Sequence, residues 1–286
     1  MITGQTKTIG ILGWPVGHSL SPLMHNAAFA AMELDYTYIP LPVHPDKLSQ
    51  AVMGLKSMGF VGANVTIPHK VAIMPYLDEL DVSAQLAGAV NTIVVKGGRC
   101  IGYNTDAQGF IQSLTSKHVT IKGKTAVIMG AGGAARAVVC GLIAHGIENI
   151  LVGTRSAAKA QEFVKLFSEG PNIQGCDWQD PVFIDSFKQC DILINCTPIG
   201  MSSNNEVELP VNWQDLNPSA VVCDLIYTPP LTQFLADAQK QGHMIINGAG
   251  MLVEQGALAF ELWTGKIAPR TIMLAILSKF IGNIYS

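Results

Sequence analysis

Two sets of residues in this chain have types and spacings that could do chemistry. The first is the stretch Thr125–Arg136, TAVIMGAGGAAR. Its apolar start, Ala126–Met129, reads as a buried parallel strand, and its end reads as a helix. Between them, Gly130, Ala131, Gly132 and Gly133 make a small-residue turn, and Ala134 begins the helical pattern. Gly130 permits the tight turn, Gly132 lets backbone approach a pyrophosphate, and Ala135 takes the third fingerprint position, where a small residue lets helix and strand pack closely. The free N–H groups and dipole of the new helix favour an anion. An ordinary strand–turn–helix shares this outline.

The second set is three polar clusters that interrupt apolar segments before Lys124. Gly17-His18-Ser19-Leu20-Ser21-Pro22 follows an apolar run. One serine there suits a helix cap, and two hydroxyls at a helix N-terminus suit a small carboxylate. Asn64-Val65-Thr66-Ile67-Pro68-His69-Lys70 lies at the C-terminal end of a strand, where open α/β sheets bind ligands. Asn64 and Thr66 alternate with apolar neighbours and point the same way. Lys70 falls near a helix start, an unfavourable place for a cation unless it is solvated or used. Asn91-Thr92 and Tyr103-Asn104-Thr105-Asp106 form the third cluster; turn chemistry alone accounts for Asn104 and Asp106.

The elements that must position these groups alternate. Strands are expected at Lys7–Leu12, Tyr36–Pro40 and Gly62–Thr66, with helices at Pro22–Met32 and Asp46–Met58. Asn91–Val95 and Arg99–Tyr103 flank Gly97-Gly98, a hairpin signal. This predicts an α/β domain with a largely parallel sheet and one antiparallel hairpin. From Lys124 the alternation is more regular. Six strands, Thr125–Met129, Asn149–Val152, Ile173–Cys176, Asp191–Asn195, Ala220–Asp224 and Met244–Asn247, match a doubly wound dinucleotide-binding module. Two further helices, Met251–Leu262 and Pro269–Phe280, follow the completed module and are expected to pack on the N-terminal domain. The expected division is 1–105 plus 248–286 against 106–247.

The second strand of the module ends in Thr154-Arg155-Ser156. An NAD-specific module places a carboxylate there for the ribose 2′-hydroxyl. Arg155 stands in its place, and a guanidinium fork suits a 2′-phosphate. The residues therefore predict NADP(H) over NAD(H).

Composition bounds the rest. A net charge of −3 over 286 residues leaves no footprint for nucleic acid or an anionic membrane. Hydrophobic residues make up 49% of the chain, enough for substantial cores. The opening MITGQTKTIG lacks the apolar core of a signal peptide, and Thr271–Ile284 is too short to span a bilayer. Cytoplasmic residence is the expectation. The six cysteines form no CxxC, and the seven histidines show no metal spacing, so buried free thiols and no metal site are expected.

Eight ordered motifs complete the reading: HSLSP at 18–22, NVTIPHK at 64–70, GAVNT at 88–92, GYNTD at 102–106, GAGGAAR at 130–136, NCTPIGM at 195–201, DLIYTP at 224–229 and NGAGMLVEQG at 247–256. Together they make the chain resemble the shikimate dehydrogenase family over nearly its whole length. The resemblance, and not the residue physics, supplies a substrate: reversible reduction of 3-dehydroshikimate to shikimate with NADPH. It implies that Ser19 and Ser21 hold the substrate carboxylate. Asn64, Thr66, Asn91, Asp106 and Gln255 bind the hydroxyl side, with Tyr227 nearby, and Lys70 and Asp106 form the catalytic pair. It places Thr197, Ile199, Met201 and Gly248 on the nicotinamide side. Thr154 departs from the family's common Asn-Arg-Thr. A relative that oxidises quinate or prefers NAD is the near alternative; a non-catalytic NADP-binding sensor is the distant one. Family members occur as monomers and homodimers.

Overall fold

Lys7–Gly13 (β1) is the inner strand around which the N-terminal sheet assembles. With it come Tyr36–Pro42 (β2), Gly62–Val65 (β3), Glu79–Leu80 (β4), Thr92–Lys96 (β5) and Arg99–Tyr103 (β6). Their order is β2-β1-β3-β5-β6-β4. β1 runs parallel to β2 and β3, whereas β5 runs against both β3 and β6. The β5–β6 turn is Gly97-Gly98, both at positive φ (59° and 74°), the conformation glycine adopts without a Cβ penalty. The computed structural model describes residues 2–167, 171–201 and 208–284. The chain divides into two units, Met1–Gly109 with Leu252–Ser286, and Phe110–Met251.

In the first unit, Leu12, Val52, Leu55, Val65 and Ile73 form one apolar cluster. The C-terminal segment supplies further packing. Phe260 stacks on Phe29 with ring centroids 5.2 Å apart. The Trp263 indole N–H donates to the Ile93 carbonyl at 2.9 Å. A Cβ on Gly62 would overlap that carbonyl and the indole, so this close approach requires glycine.

The second unit is a six-stranded sheet of Thr125–Met129 (β7), Asn149–Thr154 (β8), Asn172–Asp177 (β9), Ile192–Asn195 (β10), Val221–Asp224 (β11) and Met244–Ile246 (β12). The order is β12-β11-β10-β7-β8-β9, and the pairings are parallel. This is the doubly wound α/β arrangement, with its topological switch between β7 and β10. Along β7, Ala126 and Ile128 enter one apolar cluster while Val127 and Met129 enter another. The sheet is therefore covered on both faces, which is why its inner strands β7 and β10 are almost continuously apolar, whereas the edge strand β9 alternates.

Among the described residues, no helix is long and apolar enough to cross a membrane. The six cysteines are free thiols. Burial pushes them up, Cys190 to about 12 and Cys140 to about 11.

Candidate active site

Lys70 sits in a single helical turn, His69–Ala72, whose backbone is tied to the sheet region by the Val90 N–H donating to the Lys70 carbonyl at 2.8 Å. Asp106 opens the helix Asp106–Thr115. The cap of that helix is Asn104, whose Oδ1 accepts the N–H groups of Asp106 and Ala107 at 3.1 and 3.3 Å. The Asp106 carboxylate is thereby released from capping. Its Oδ2 accepts from the Lys70 ammonium at 2.5 Å, and its Oδ1 accepts from the Asn91 amide at 2.8 Å. The Asp106 side chain is 7% exposed and that of Lys70 20%, so the pair is shielded while the ammonium keeps an outlet.

Asn91 is the hub. Its Oδ1 accepts the Thr105 N–H at 2.8 Å and the Thr92 hydroxyl at 3.0 Å. Its amide also reaches Gln255 Oε1 at 3.3 Å. Asn64 joins from β3, donating to the Asn91 carbonyl at 3.1 Å and Thr92 Oγ1 at 3.0 Å. Asn64 Oδ1 accepts the hydroxyl of Tyr38 at 2.7 Å. Burial pushes that phenol well above its ordinary range, and a hydrogen bond from Ser21 opposes the shift.

Ser19 Oγ accepts the Ser21 N–H at 3.3 Å, whereas Leu20 occupies the residue before the helix and makes no side-chain cap. Among the described residues the Thr66 hydroxyl makes no hydrogen bond; its methyl packs where a Cβ on Gly13 would stand. Lys70, Asp106, Asn91, Asn64 and Gln255 are thus one network, with Ser21 attached through Tyr38. An oxygen set beside Lys70 would meet a fixed ammonium whose remaining N–H groups can donate.

The second unit holds a cleft of about 850 Å³, walled by Gly130, Gly132, Thr154, Arg155, Thr197 and Ile199 among others. Gly130 has φ 103°, and an added Cβ would stand 3.0 Å from the Thr197 methyl. Gly132 precedes the helix Gly133–Ala144, and a Cβ on Gly132 or Gly133 would meet nothing within 4 Å. Bare backbone at a helix N-terminus therefore faces open space, as a pyrophosphate requires. Ala131 lines the cleft, and Ala134 continues the first turn.

The Thr154 hydroxyl donates to the Ser156 carbonyl at 2.7 Å and accepts the Ser156 N–H at 3.1 Å. This tight loop presents Arg155, which is exposed and makes no ion pair among the described residues. These features fit NADP(H). Met201, Tyr227 and Gly248 stand outside this wall. Met201 bridges to Ile199, burial raises the Tyr227 phenol, and Gly248 donates to the Ile226 carbonyl at 3.0 Å.

Comparison with known proteins bears on these two sites. The family model described as the shikimate dehydrogenase substrate binding domain matches residues 11–93. Shikimate / quinate 5-dehydrogenase matches residues 113–207, and the shikimate 5′-dehydrogenase C-terminal domain matches residues 248–277. The shikimate dehydrogenase (NADP(+)) of Desulforamulus reducens is 44% identical over 99% of this chain and 98% of its own. The chain belongs to the shikimate dehydrogenase family. A crystal structure of a shikimate dehydrogenase in complex with NADP+ superposes with a TM-score of 0.89 at 45% identity, covering 98% of each chain. The Listeria monocytogenes shikimate 5-dehydrogenase, solved with shikimate and NAD, gives 0.89 at 36% identity over 100% of this chain and 98% of that one.

For this family member, the structure also gathers residues to which the sequence reading assigned no role. Thr105 and Tyr38 complete the Asn91–Asn64 network. Arg136 and Lys159 line the cleft with Arg155. Arg136 closes the fingerprint stretch and Lys159 lies on the helix Ala157–Val164, so a basic residue facing the same turn was the available signal.

Proposed function

We propose that this protein catalyses the reversible NADP(H)-dependent interconversion of 3-dehydroshikimate and shikimate, with Lys70 as general acid and base. The observation that carries the reading is the Lys70–Asp106–Asn91 network, in a chain of this family. Family membership supports the substrate. The residues support the chemistry.

NADPH, when bound, supplies the hydride to the substrate carbonyl carbon. As the carbonyl gains the electron pair, its oxygen develops negative charge. The Lys70 ammonium donates a hydrogen bond to that oxygen and then transfers its proton; in the oxidative direction the neutral amine takes the hydroxyl proton back. Asp106 holds the ammonium in place from one oxygen while Asn91 immobilises the other, which limits the reorganisation the step needs. Ser19 and Ser21 bind the substrate carboxylate. Asn64, Thr66, Asn91, Asp106 and Gln255 bind its hydroxyl side. Gly130, Ala131, Gly132, Gly133 and Ala134 would hold the pyrophosphate, and Arg155, with Thr154 and Ser156, the 2′-phosphate. Thr197, Ile199, Met201 and Gly248 would serve the nicotinamide half. The unit containing Lys70 is thus the substrate-binding one, and the unit containing Gly130 the cofactor-binding one. Its compartment is the cytoplasm, where the six thiols stay reduced.

The test is loss of NADPH absorbance on adding 3-dehydroshikimate, and its appearance from shikimate and NADP+. Turnover in both directions, with kcat/KM for shikimate above that for quinate, is expected. No turnover, with substrate still bound, would replace this reading with a non-catalytic sensor; preference for quinate would replace the substrate.

A further inference from the structure

Asp224 is a buried carboxylate that the proposed chemistry leaves unused. It ends β11 at 1% exposure. Its Oδ1 accepts the Ile226 N–H at 3.0 Å and an N–H of Asn195 at 3.1 Å, and its Oδ2 accepts the Thr232 hydroxyl at 2.7 Å. Burial nevertheless pushes the carboxyl up to about 6. A carboxylate kept in such a place works against stability unless its partners need it.

Asn195 is the partner that leads somewhere. It ends β10 and is fully buried. Its amide N–H groups reach Asp224 and the Ile199 carbonyl, both at 3.1 Å. Its Oδ1 accepts the Thr197 N–H at 2.9 Å and the Thr197 hydroxyl at 2.7 Å. Thr197 Oγ1 in turn accepts the Ile199 N–H at 3.2 Å. An ionised carboxylate only accepts hydrogen bonds, so Asp224 forces the nitrogen end of the Asn195 amide toward itself. The oxygen end must then face the two donors of Thr197. One buried acceptor thereby sets the shape of the Thr197–Ile199 turn, and both of these residues wall the cleft.

The sheet order says which end of a dinucleotide that turn meets. β7 carries the glycine turn, β8 lies on one side of it and β10 on the other. Arg155 follows β8, so the adenosine 2′-phosphate belongs to that side. The opposite half of a dinucleotide laid across the switch point reaches the end of β10.

We propose that Asp224 is a positioning residue for the nicotinamide half of NADP(H), acting through Asn195 on the Thr197–Ile199 turn. This rests on the NADP reading above and deepens it.

The experiment is equilibrium binding of two probes to the full chain: NADP+, and 2′,5′-ADP, which keeps the adenosine and 2′-phosphate but has no nicotinamide. Asp224→Ala is expected to raise the Kd of NADP+ by about tenfold and to leave that of 2′,5′-ADP within about twofold. Asp224→Asn should restore NADP+ binding to within about threefold, because its carboxamide oxygen can take the place of Oδ1 and Thr232 can accept from its nitrogen. Asn195→Ala cuts the relay in its middle and leaves Asp224 two of its donors. It should give the alanine pattern, and it serves where Asp224→Ala does not fold. Equal weakening of both probes, or unchanged NADP+ binding in a folded Asp224→Ala or Asn195→Ala protein, would overturn the inference. Failure of the unmodified protein to bind either probe would instead overturn the NADP reading itself.

Discussion

Asn91 and Lys70 divide the carboxylate of Asp106 between them: the Asn91 amide donates to Oδ1 at 2.8 Å while the Lys70 ammonium donates to Oδ2 at 2.5 Å. A carboxylate held on both oxygens cannot rotate, so the ammonium is aimed as well as paired. Asn91→Ala frees one oxygen and leaves the buried Thr105 N–H without its acceptor. Chemical denaturation should show a loss of about 1–3 kcal/mol. Steady-state kinetics should show kcat/KM for shikimate lowered about tenfold or more. Wild-type kcat/KM in a folded variant would remove Asn91 from the positioning of the pair.

Arg155 is expected to set cofactor choice. Arg155→Asp replaces the only guanidinium carried by the β8 loop and sets a negative charge against a 2′-phosphate. The KM for NADP+ should rise about tenfold or more, and the preference should shift toward NAD+. An unchanged ratio of kcat/KM for the two cofactors would contradict this.

Gly248 is required by packing before any ligand arrives. A Cβ there would overlap the Leu225 carbonyl oxygen, which belongs to backbone and cannot swing away. Gly248→Ala should cost about 1–3 kcal/mol of stability, visible as a lower denaturation midpoint without cofactor. An unchanged midpoint would show that the backbone there yields.

Asp224 gives stability a pH dependence of unusual sign for a carboxyl. Its folded value of about 6 lies above the ordinary 3.8. Between those values the folded state holds a proton that the unfolded state has lost, so stability falls as pH rises. Carried between those two values, the group costs about 3 kcal/mol, and the cost is complete above pH 6. Asp224→Asn does not titrate. Its unfolding free energy relative to wild type should therefore climb by up to about that amount between pH 4 and pH 7. A flat difference would mean that the native carboxyl is not shifted.

Much of this architecture was legible because it is locally encoded. β7 is a run between Lys124 and Gly130, buried from Ala126 to Met129, and the structure gives it the expected limits, Thr125–Met129. The β5–β6 hairpin follows from two adjacent glycines and nothing distant. β4 was not legible. It is two residues long, Glu79–Leu80, and exists only because β6 offers it a parallel edge. At the site, residue types were readable and partners were not. Asn104 and Asp106 both suited a turn, and only the fold assigns the cap to Asn104 and frees Asp106. Ser19 and Ser21 suited a cap, yet Leu20 holds the residue before the helix. Asp224 drew no role because its donors come from Asn195, 29 positions away, and from Thr232.

Proton exchange between the Lys70 nitrogen and the reacting oxygen is the step on which the proposed chemistry turns. Single-turnover and steady-state rates of shikimate oxidation by Lys70→Ala, with the Kd of NADP+ measured alongside, test it most directly. A fall in rate of about 10²-fold or more with cofactor affinity unaltered is expected. A variant that turns over at close to the wild-type rate would contradict it.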